Sequence, residues 1–247
     1  FTDLTEQANG SVILRMGETA ILVTAVMNKR ESNMPYFPLS VEFEEKFYSA
    51  GQIMGNRFQR REGRPSEEAV LSARAIDRTI RPLFDQSRRN DIQIVVTVLA
   101  MGEDDPDVLG IIGASIALSV SDIPWAGPVG AVRIGQDKKT GGIVINPTYN
   151  EREEGNLNFE VLACGKDGNI NMIETSAYEV PESDIVTVFE AGAKIHQKLE
   201  DFQKEIVTAI GKDKNVKESA PVNETMISFF ETNFKTKLTE VLFSEKA

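Results

Sequence analysis

The chain has 247 residues, a formal net charge of −11 and 41% hydrophobic residues, a composition typical of a soluble globular protein with one large domain or two small ones. No apolar run is long enough to span a bilayer, so we expect no membrane partner. A single cysteine, Cys164, excludes an internal disulfide, and a single histidine, His196, excludes a multi-histidine metal site.

The first 64 residues favour β-strands joined by turns. Two apolar, β-branched segments, SVILRM and TAILVTAVM, are separated by Gly-Glu and predict a hairpin over residues 11–27. Apolar and polar residues then alternate from Phe37 to Phe43, which is typical of a strand with one buried face. A glycine-punctuated loop is expected over residues 51–64.

A helix is predicted directly after this loop. Ser66 can cap its N-terminus, and Glu67 and Glu68 suit the positive end of the helix dipole. Because Pro82 ends a helix, we expect this one to run to about Arg81. Its buried side is expected to include Val70, Leu71, Ala75, Ile76 and Ile80.

The rest of the chain predicts further strands and helices. Residues 92–102 form a continuous apolar run, typical of a strand buried on both faces. The Asp-Asp-Pro-Asp segment at 104–107 begins a helix, and the Gly-Ala-Ser sequence at 113–115 allows close backbone contact and favours a central position. Two strand pairs follow, and an amphipathic helix is expected from about Ser183 to Ile210.

The sequence divides into three parts. Residues 1–210 are expected to form one core domain, and the polar, glycine- and proline-punctuated residues 211–223 a linker. Residues 224–247 carry an apolar stripe at helical spacing, which predicts the start of a helical domain that continues in a longer protein. Because the chain begins at Phe1, directly before a strand pattern, we also expect part of the natural N-terminus to be absent.

A dense arginine patch stands out in this acidic chain. Nine of the thirteen arginines lie between residues 57 and 89, and no lysine occurs between Lys46 and Lys138. On the predicted helix, Arg74, Arg78 and Arg81 share one stripe because they are four and three residues apart. A guanidinium group can pair with two phosphate oxygens at once, so the patch favours a phosphate-rich partner.

The loop before the helix adds an aromatic residue to this patch. Phe58 precedes Arg60 and Arg61, and an aromatic side chain beside two guanidinium groups can stack a base while holding its backbone.

A purely structural interpretation of the patch remains open. Arg74 could pair with Glu67, and Asp77 with Arg81, which would give a solvated, salt-bridged helix face.

Three other features are interpreted as structural. The Asp-Asp-Pro-Asp segment could suggest a divalent-cation site, but aspartates before a helix are usually caps. Cys164 lies among apolar strand residues as an inert core thiol, and His196 has no evident carboxylate partner in sequence. No glycine-rich loop of the dinucleotide or P-loop type is present.

Two long segments closely resemble the first core domain of the bacterial polynucleotide phosphorylase family: FPLSVEFEEKFYSAGQIMGNRFQRREGRPSEEAVLSARAIDRTIRPLF and DPDVLGIIGASIALSVSDIPWAGPVGAVRIG. The resemblance extends from about residue 8 to 210, and the C-terminal tail is similar to the start of the family's helical domain. It implies an α+β, ribonuclease PH-like fold of mixed β-sheets packed with α-helices, followed by a helical segment.

For the full-length protein, the resemblance implies a phosphate-dependent, processive 3′-to-5′ exoribonuclease that converts RNA to nucleoside diphosphates in mRNA decay. It implies Mg2+ as cofactor and inorganic phosphate as co-substrate. It further implies a cytoplasmic homotrimeric ring whose partners are single-stranded RNA and other RNA-degradation proteins.

The resemblance also implies roles for the arginines. The family's first core domain has an arginine-rich loop at the channel mouth, which corresponds to residues 58–61, with Gln59 where an aromatic residue is often found. Related rings hold RNA with two arginines four residues apart, which Arg74 and Arg78 match. The expected RNA- and phosphate-binding residues are Phe58, Arg60, Arg61, Arg74, Arg78 and Arg81.

The same comparison predicts no catalytic or metal-binding residues in this chain. Arg152 and Asn158 stand where the family's catalytic domain has metal-ligand aspartates, and Glu160 stands where it has a lysine. Arginine cannot ligate magnesium, and asparagine is a poorer ligand than a carboxylate. We therefore expect the metal site in a second core domain.

Two alternatives remain at this stage. One is a self-standing, non-catalytic RNA-binding or scaffold subunit of an exosome-like ring. The other is a residually active phosphorolytic enzyme with a metal site built from Glu153, Glu154 and Glu160.

Overall fold

The computed structural model describes residues 5–53, 55, 63–153, 155–216 and 223–244. The chain forms two compact units, Phe1–Asn215 and Val216–Ala247. The first unit contains two four-stranded sheets and the helices that pack on them.

The first sheet has the strand order β1-β2-β4-β3. The predicted hairpin is confirmed, because β1 and β2 pair in antiparallel fashion around a turn at Gly17, whose φ is 54°. The strand β3 pairs in parallel with β4 and forms one edge of the sheet. The strands are β1 (Gly10–Met16), β2 (Thr19–Glu31), β3 (Leu39–Glu44) and β4 (Asn90–Ala100).

The prediction that β4 is buried on both faces is wrong. Ile92, Ile94, Val96 and Val98 are buried, but the residues between them are exposed or half-buried. The described helices pack on one face of this sheet, so only alternate residues of the strand enter the core.

Two helices, α1 (Glu67–Ile80) and α2 (Pro106–Val120), cover that face. The prediction that α2 is central is confirmed, since thirteen of its residues are buried. At Gly113 the helix approaches β2 so closely that an added Cβ would lie 2.6 Å from Val23 Cγ2. A larger residue there would force the helix away from the sheet.

The second sheet is antiparallel and has the strand order β6-β5-β7-β8. One face joins the main core through Ala131, Leu162, Cys164 and Met172. The other face forms a smaller core with α4 around Phe159. The elements are β5 (Gly130–Asp137), β6 (Ile143–Ile145), α3 (Tyr149–Arg152), β7 (Leu157–Lys166), β8 (Asn169–Ala177) and α4 (Glu182–Ile210).

The cysteine and the histidine are both buried, as the structural interpretation requires. Burial raises the pKa of the Cys164 thiol to about 12 and lowers the pKa of His196. The His196 Nε2 atom lies 3.0 Å from the Ala163 carbonyl oxygen, which joins α4 to β7.

The second unit is helical. It contains α5 (Glu224–Phe230), a π-helical turn (Glu231–Lys235) and α6 (Thr236–Leu242). Its apolar side chains are largely exposed, and the Phe229 and Phe234 rings contact each other with centroids 5.7 Å apart. Within the described ranges of both units, no helix combines the length and apolar character needed to cross a membrane.

Candidate nucleic-acid interface

The helix α1 presents two arginines to solvent. Its N-terminus is capped as predicted, because Ser66 Oγ accepts a hydrogen bond of 2.9 Å from the Ala69 amide. Arg74 and Arg78 are exposed one turn apart. Neither has a hydrogen bond or an ion pair with another described residue, so both guanidinium groups can bind an anion.

The apolar residues of α1 are not all buried. Ala75, Ile76 and Ile80 are buried as predicted, but Val70 and Leu71 are 47% and 53% exposed. The prediction for these two residues is wrong because helical spacing places them on the same side as Arg74 and Arg78. This outer face therefore combines apolar and cationic side chains.

Arg81 has a different environment from the other two arginines. It donates bonds of 2.8 and 2.6 Å to the two carboxylate oxygens of Asp77 and one of 3.0 Å to the Leu39 carbonyl oxygen. These hydrogen bonds with Asp77 raise its pKa. Arg81 thus forms the internal ion pair considered as an alternative, and it joins the end of α1 to β3.

The other three predicted RNA-binding residues belong to the loop before α1. Phe58, Arg60 and Arg61 lie outside the described residues. The structure therefore brings Arg74 and Arg78 together, and the contribution of the loop remains a prediction.

A second feature is a cleft of about 540 Å³ between α1, the start of α2 and the second sheet. At its base lies Arg133 on β5, with 7% of its side chain exposed. Its Nε atom is 2.5 Å from Asp105 Oδ2, and its Nη2 atom is 3.4 Å from Asp107 Oδ2. Asp105 also caps α2 through the Asp107 amide, which confirms the predicted capping role.

Arg152 completes this network of ion pairs. Its Nε donates a bond of 2.6 Å to Glu160, and its Nη1 donates one of 3.0 Å to Asp105. The guanidinium group also lies over the Tyr149 ring, 5.6 Å from the centroid. Two arginines are therefore paired with three carboxylates, which leaves one negative charge in excess when all three carboxylates are ionised.

The electrostatics of the cleft differ among its carboxylates. Burial, together with the negative charge of Asp105, raises the pKa of Asp107 to about 6. Burial also acts to raise the pKa of Glu160, but the hydrogen bonds from Arg152 outweigh it and the pKa is lowered. The charge of Asp107 therefore changes at about pH 6.

The residues of this cleft do not fit a magnesium site. The positions compared with metal ligands hold Arg152, which binds Glu160, and Asn158, whose amide donates a bond of 3.0 Å to Gln136. Glu153 is exposed and Glu154 lies outside the described residues. Within the described part of the chain, no group of three or more acidic, histidine or cysteine residues could hold a metal ion.

Sequence reasoning missed Arg133. One available signal was a charged residue inside the otherwise apolar strand segment GAVRI, because a buried charge needs partners of opposite sign. Those partners are Asp105 and Asp107 at the start of α2 and Glu160 on β7, and sequence alone did not bring these elements together.

The comparisons with known proteins agree with the fold. The sequence profile of the 3′ exoribonuclease family, domain 1, matches residues 1–124. A polyribonucleotide nucleotidyltransferase from Exiguobacterium sibiricum is 44% identical over 226 residues, which is 91% of this chain and 30% of that protein. One from Heliobacterium modesticaldum is 46% identical over 85% of this chain and 29% of that protein.

A solved structure shares the architecture at low sequence identity. The crystal structure of rice (Oryza sativa) Rrp46 superimposes with a TM-score of 0.67 and 14% identity, covering 84% of this chain and 92% of that one. The chain spans about 30% of the length of the two nucleotidyltransferases described above.

Proposed function

The chain belongs to the 3′ exoribonuclease family, and on this premise we propose that it is the RNA-binding, ring-forming first part of a polyribonucleotide nucleotidyltransferase. The full protein would degrade RNA from its 3′ end with inorganic phosphate and release nucleoside diphosphates. The α+β, ribonuclease PH-like fold predicted from the sequence is confirmed by the family match and the shared fold of Rrp46.

The exposure of Arg74 and Arg78 carries this proposal. In a chain of net charge −11, these two guanidinium groups stand one turn apart on a helix face with no ionic partner among the described residues. A polyanion with regularly spaced charges, such as single-stranded RNA, can pair one phosphate with each guanidinium group. Arg81 holds the C-terminal end of α1 against β3 through its hydrogen bonds to Asp77 and to the Leu39 carbonyl oxygen.

We further propose that this chain has no catalytic centre of its own, and the ion pairs of the cleft support this. The Asp105 side chain already occupies the N-terminus of α2, where an anionic substrate group would otherwise be favoured. Arg133 and Arg152 pair with the carboxylates that a magnesium ion would need. We therefore place the Mg2+ site and the phosphorolytic reaction in the part of the protein beyond this chain.

The remaining properties follow from the family relationship. We propose that the full protein assembles as a homotrimeric ring, acts in mRNA degradation in the cytoplasm and meets other RNA-degradation proteins. The self-standing scaffold subunit remains the second candidate, since an ion-paired cleft is equally suited to a non-catalytic ring subunit.

The proposal is tested by RNA binding as a function of salt. Arg74→Ala and Arg78→Ala should each weaken binding of a single-stranded oligoadenylate about tenfold, which corresponds to about 1.4 kcal/mol. Each should also reduce the slope of log K against log salt by about 0.7, because one phosphate contact is lost. Alanine suits a helix, so neither change should unfold α1.

Arg15→Ala is the matched control. Arg15 is also exposed, but it pairs with Glu18 on the β1–β2 hairpin. The strand β1 lies at the opposite edge of the sheet from β3, the strand that α1 contacts. This variant should leave the affinity and the salt slope near their wild-type values. If all three variants bind RNA as the unmodified chain does, α1 is not the RNA interface.

A further inference from the structure

A groove opens between β3 and α1, directly beside Arg74 and Arg78. It has a volume of about 390 Å³, and Arg74 and Arg78 both line it. Its walls are largely apolar, formed by Val41, Val70 and Ala73 with their neighbours. Two small residues one turn apart, Ala69 and Ala73, leave the space that a larger side chain on α1 would fill.

The groove runs along the open edge of β3. Four consecutive residues of this strand, 41–44, line it, although successive side chains point to opposite faces of a sheet. A cavity that meets all four must therefore follow the strand edge. The groove consequently presents backbone groups as well as side chains.

The register of β3 shows which backbone groups these are. Ile92 donates its amide hydrogen bond to the Pro38 carbonyl oxygen, and Leu39 stands opposite Ile92 in the parallel pairing. In a parallel ladder this register directs the N–H and C=O groups of Ser40 and Glu42 toward β4. Those of Val41 and Phe43 point away from β4. Because Val41 is half-buried and Phe43 is only 3% exposed, the accessible donor and acceptor at this edge are those of Val41.

The charges around the groove favour an anionic occupant on the helix side. Among the carboxylates that line it, Asp77 pairs with Arg81, Glu44 pairs with Lys46, and Glu42 accepts a hydrogen bond from Gln93. Arg74 and Arg78 keep their full charge without a partner among the described residues. Two cations without an ionic partner in the described ranges therefore lie on one rim, with an apolar floor and backbone hydrogen-bonding groups next to them.

We propose that this groove is a nucleobase subsite, in which one base of a single-stranded RNA inserts between β3 and α1 while its phosphates bind Arg74 and Arg78. The inference rests on the proposed RNA-binding function and adds base recognition to it. The apolar faces of a base can be buried against the aliphatic walls, and its polar edge can form hydrogen bonds with the outward backbone groups of Val41. The backbone of a partner peptide could also form hydrogen bonds with this strand edge. A peptide, however, would not supply the regularly spaced phosphates that can bind both Arg74 and Arg78.

The test is a scan of single abasic positions along a ten-nucleotide oligoadenylate, measured as binding to this 247-residue chain. At one position, removal of the base should weaken binding about five- to tenfold, while the number of phosphates is unchanged. Because the phosphates remain, the salt slope should not change at that position.

A groove-filling variant assigns this loss to the groove. In Ala73→Leu the branched side chain should occupy the base site, so that the intact oligonucleotide binds about as weakly as the abasic one. The penalty for removing the base should then disappear. Ala209→Leu makes the same substitution at an exposed position of α4 and should keep the full penalty.

A second, more conservative variant tests the groove even if Ala73→Leu does not fold. Val70→Thr keeps the shape of an exposed wall residue and replaces a methyl group with a hydroxyl, so it should fold and reduce the abasic penalty in part. An abasic penalty of unchanged size in both variants would overturn the subsite, as would a scan in which no position shows a penalty.

The two levels of the proposal fail in different ways. If Arg74→Ala and Arg78→Ala leave affinity and salt slope unchanged, the RNA interface itself is wrong. If those variants weaken binding but groove filling does not alter the abasic penalty, α1 binds only the RNA backbone. The groove would then be left for an extended protein strand.

Discussion

Asp107 has a chemical environment that makes a specific prediction at the scale of single residues. Its pKa in the folded chain is about 6, against an ordinary value of 3.8. The folded state therefore binds this proton more tightly than the unfolded state does. By linkage, the contribution of Asp107 to stability is greatest at about pH 4 and below, and it declines as the pH rises to about 6.

Removing this charge should change the pH dependence of folding. Relative to the unmodified chain, Asp107→Asn should gain stability steadily between about pH 4 and pH 6 and show a constant difference above that interval. The measurement is the free energy of unfolding in urea at several pH values.

Asp137→Asn is the control, because hydrogen bonds with Thr140 lower the pKa of Asp137 below its ordinary value. Its difference from the unmodified chain should therefore be flat from about pH 4.5 to pH 6. A flat profile for Asp107→Asn as well would show that Asp107 does not hold a raised pKa.

The arginines show what the sequence can and cannot predict about single residues. Helical spacing correctly placed Arg74 and Arg78 on one exposed face. It could not separate them from Arg81, because the partner carbonyl of Leu39 lies 42 residues away in the chain. It also failed for Val70 and Leu71, since apolar character alone does not show which side of a helix meets the core.

At the scale of elements, α1 depends on Arg81 for its attachment to β3. Arg81→Ala removes the bidentate bond with Asp77 and the bond to the Leu39 carbonyl oxygen. Since Arg81 is partly exposed, we expect a loss of about 1–2 kcal/mol in the free energy of unfolding.

This variant also separates structure from RNA binding. Under conditions where the chain stays folded, Arg81→Ala should keep a salt slope close to that of the unmodified chain, whereas Arg74→Ala should reduce it. An Arg81→Ala variant with unchanged urea stability and a reduced salt slope would reverse the roles assigned to these two residues.

Most elements were predictable because their signals are local. The β1–β2 hairpin, the Ser66 cap and the Pro82 stop each depend on a few adjacent residues, and the structure confirms the strands and helices they predict. The one-sided burial of β4 was not predictable in this way. It depends on which face of the sheet the helices cover, and that is a property of the packed domain.

At the scale of the whole molecule, the arginine-bearing face of α1 and the ion-paired cleft differ in how far the sequence predicts them. The arginine-rich segment is visible in the sequence because its residues are close together in the chain. The cleft joins Asp105, Arg133, Arg152 and Glu160 from separate elements. The sequence comparison could identify residues unsuited to a metal, but only the structure shows that they bind one another.

We propose that this chain binds RNA through α1 and has no reaction centre of its own. The most direct test is to incubate it with labelled oligoadenylate, inorganic phosphate and Mg2+, and to measure ADP release and RNA binding in the same samples. We expect salt-sensitive RNA binding that depends on Arg74 and Arg78, without ADP. ADP formation that requires both phosphate and Mg2+ and persists through purification would instead place a catalytic site within these 247 residues.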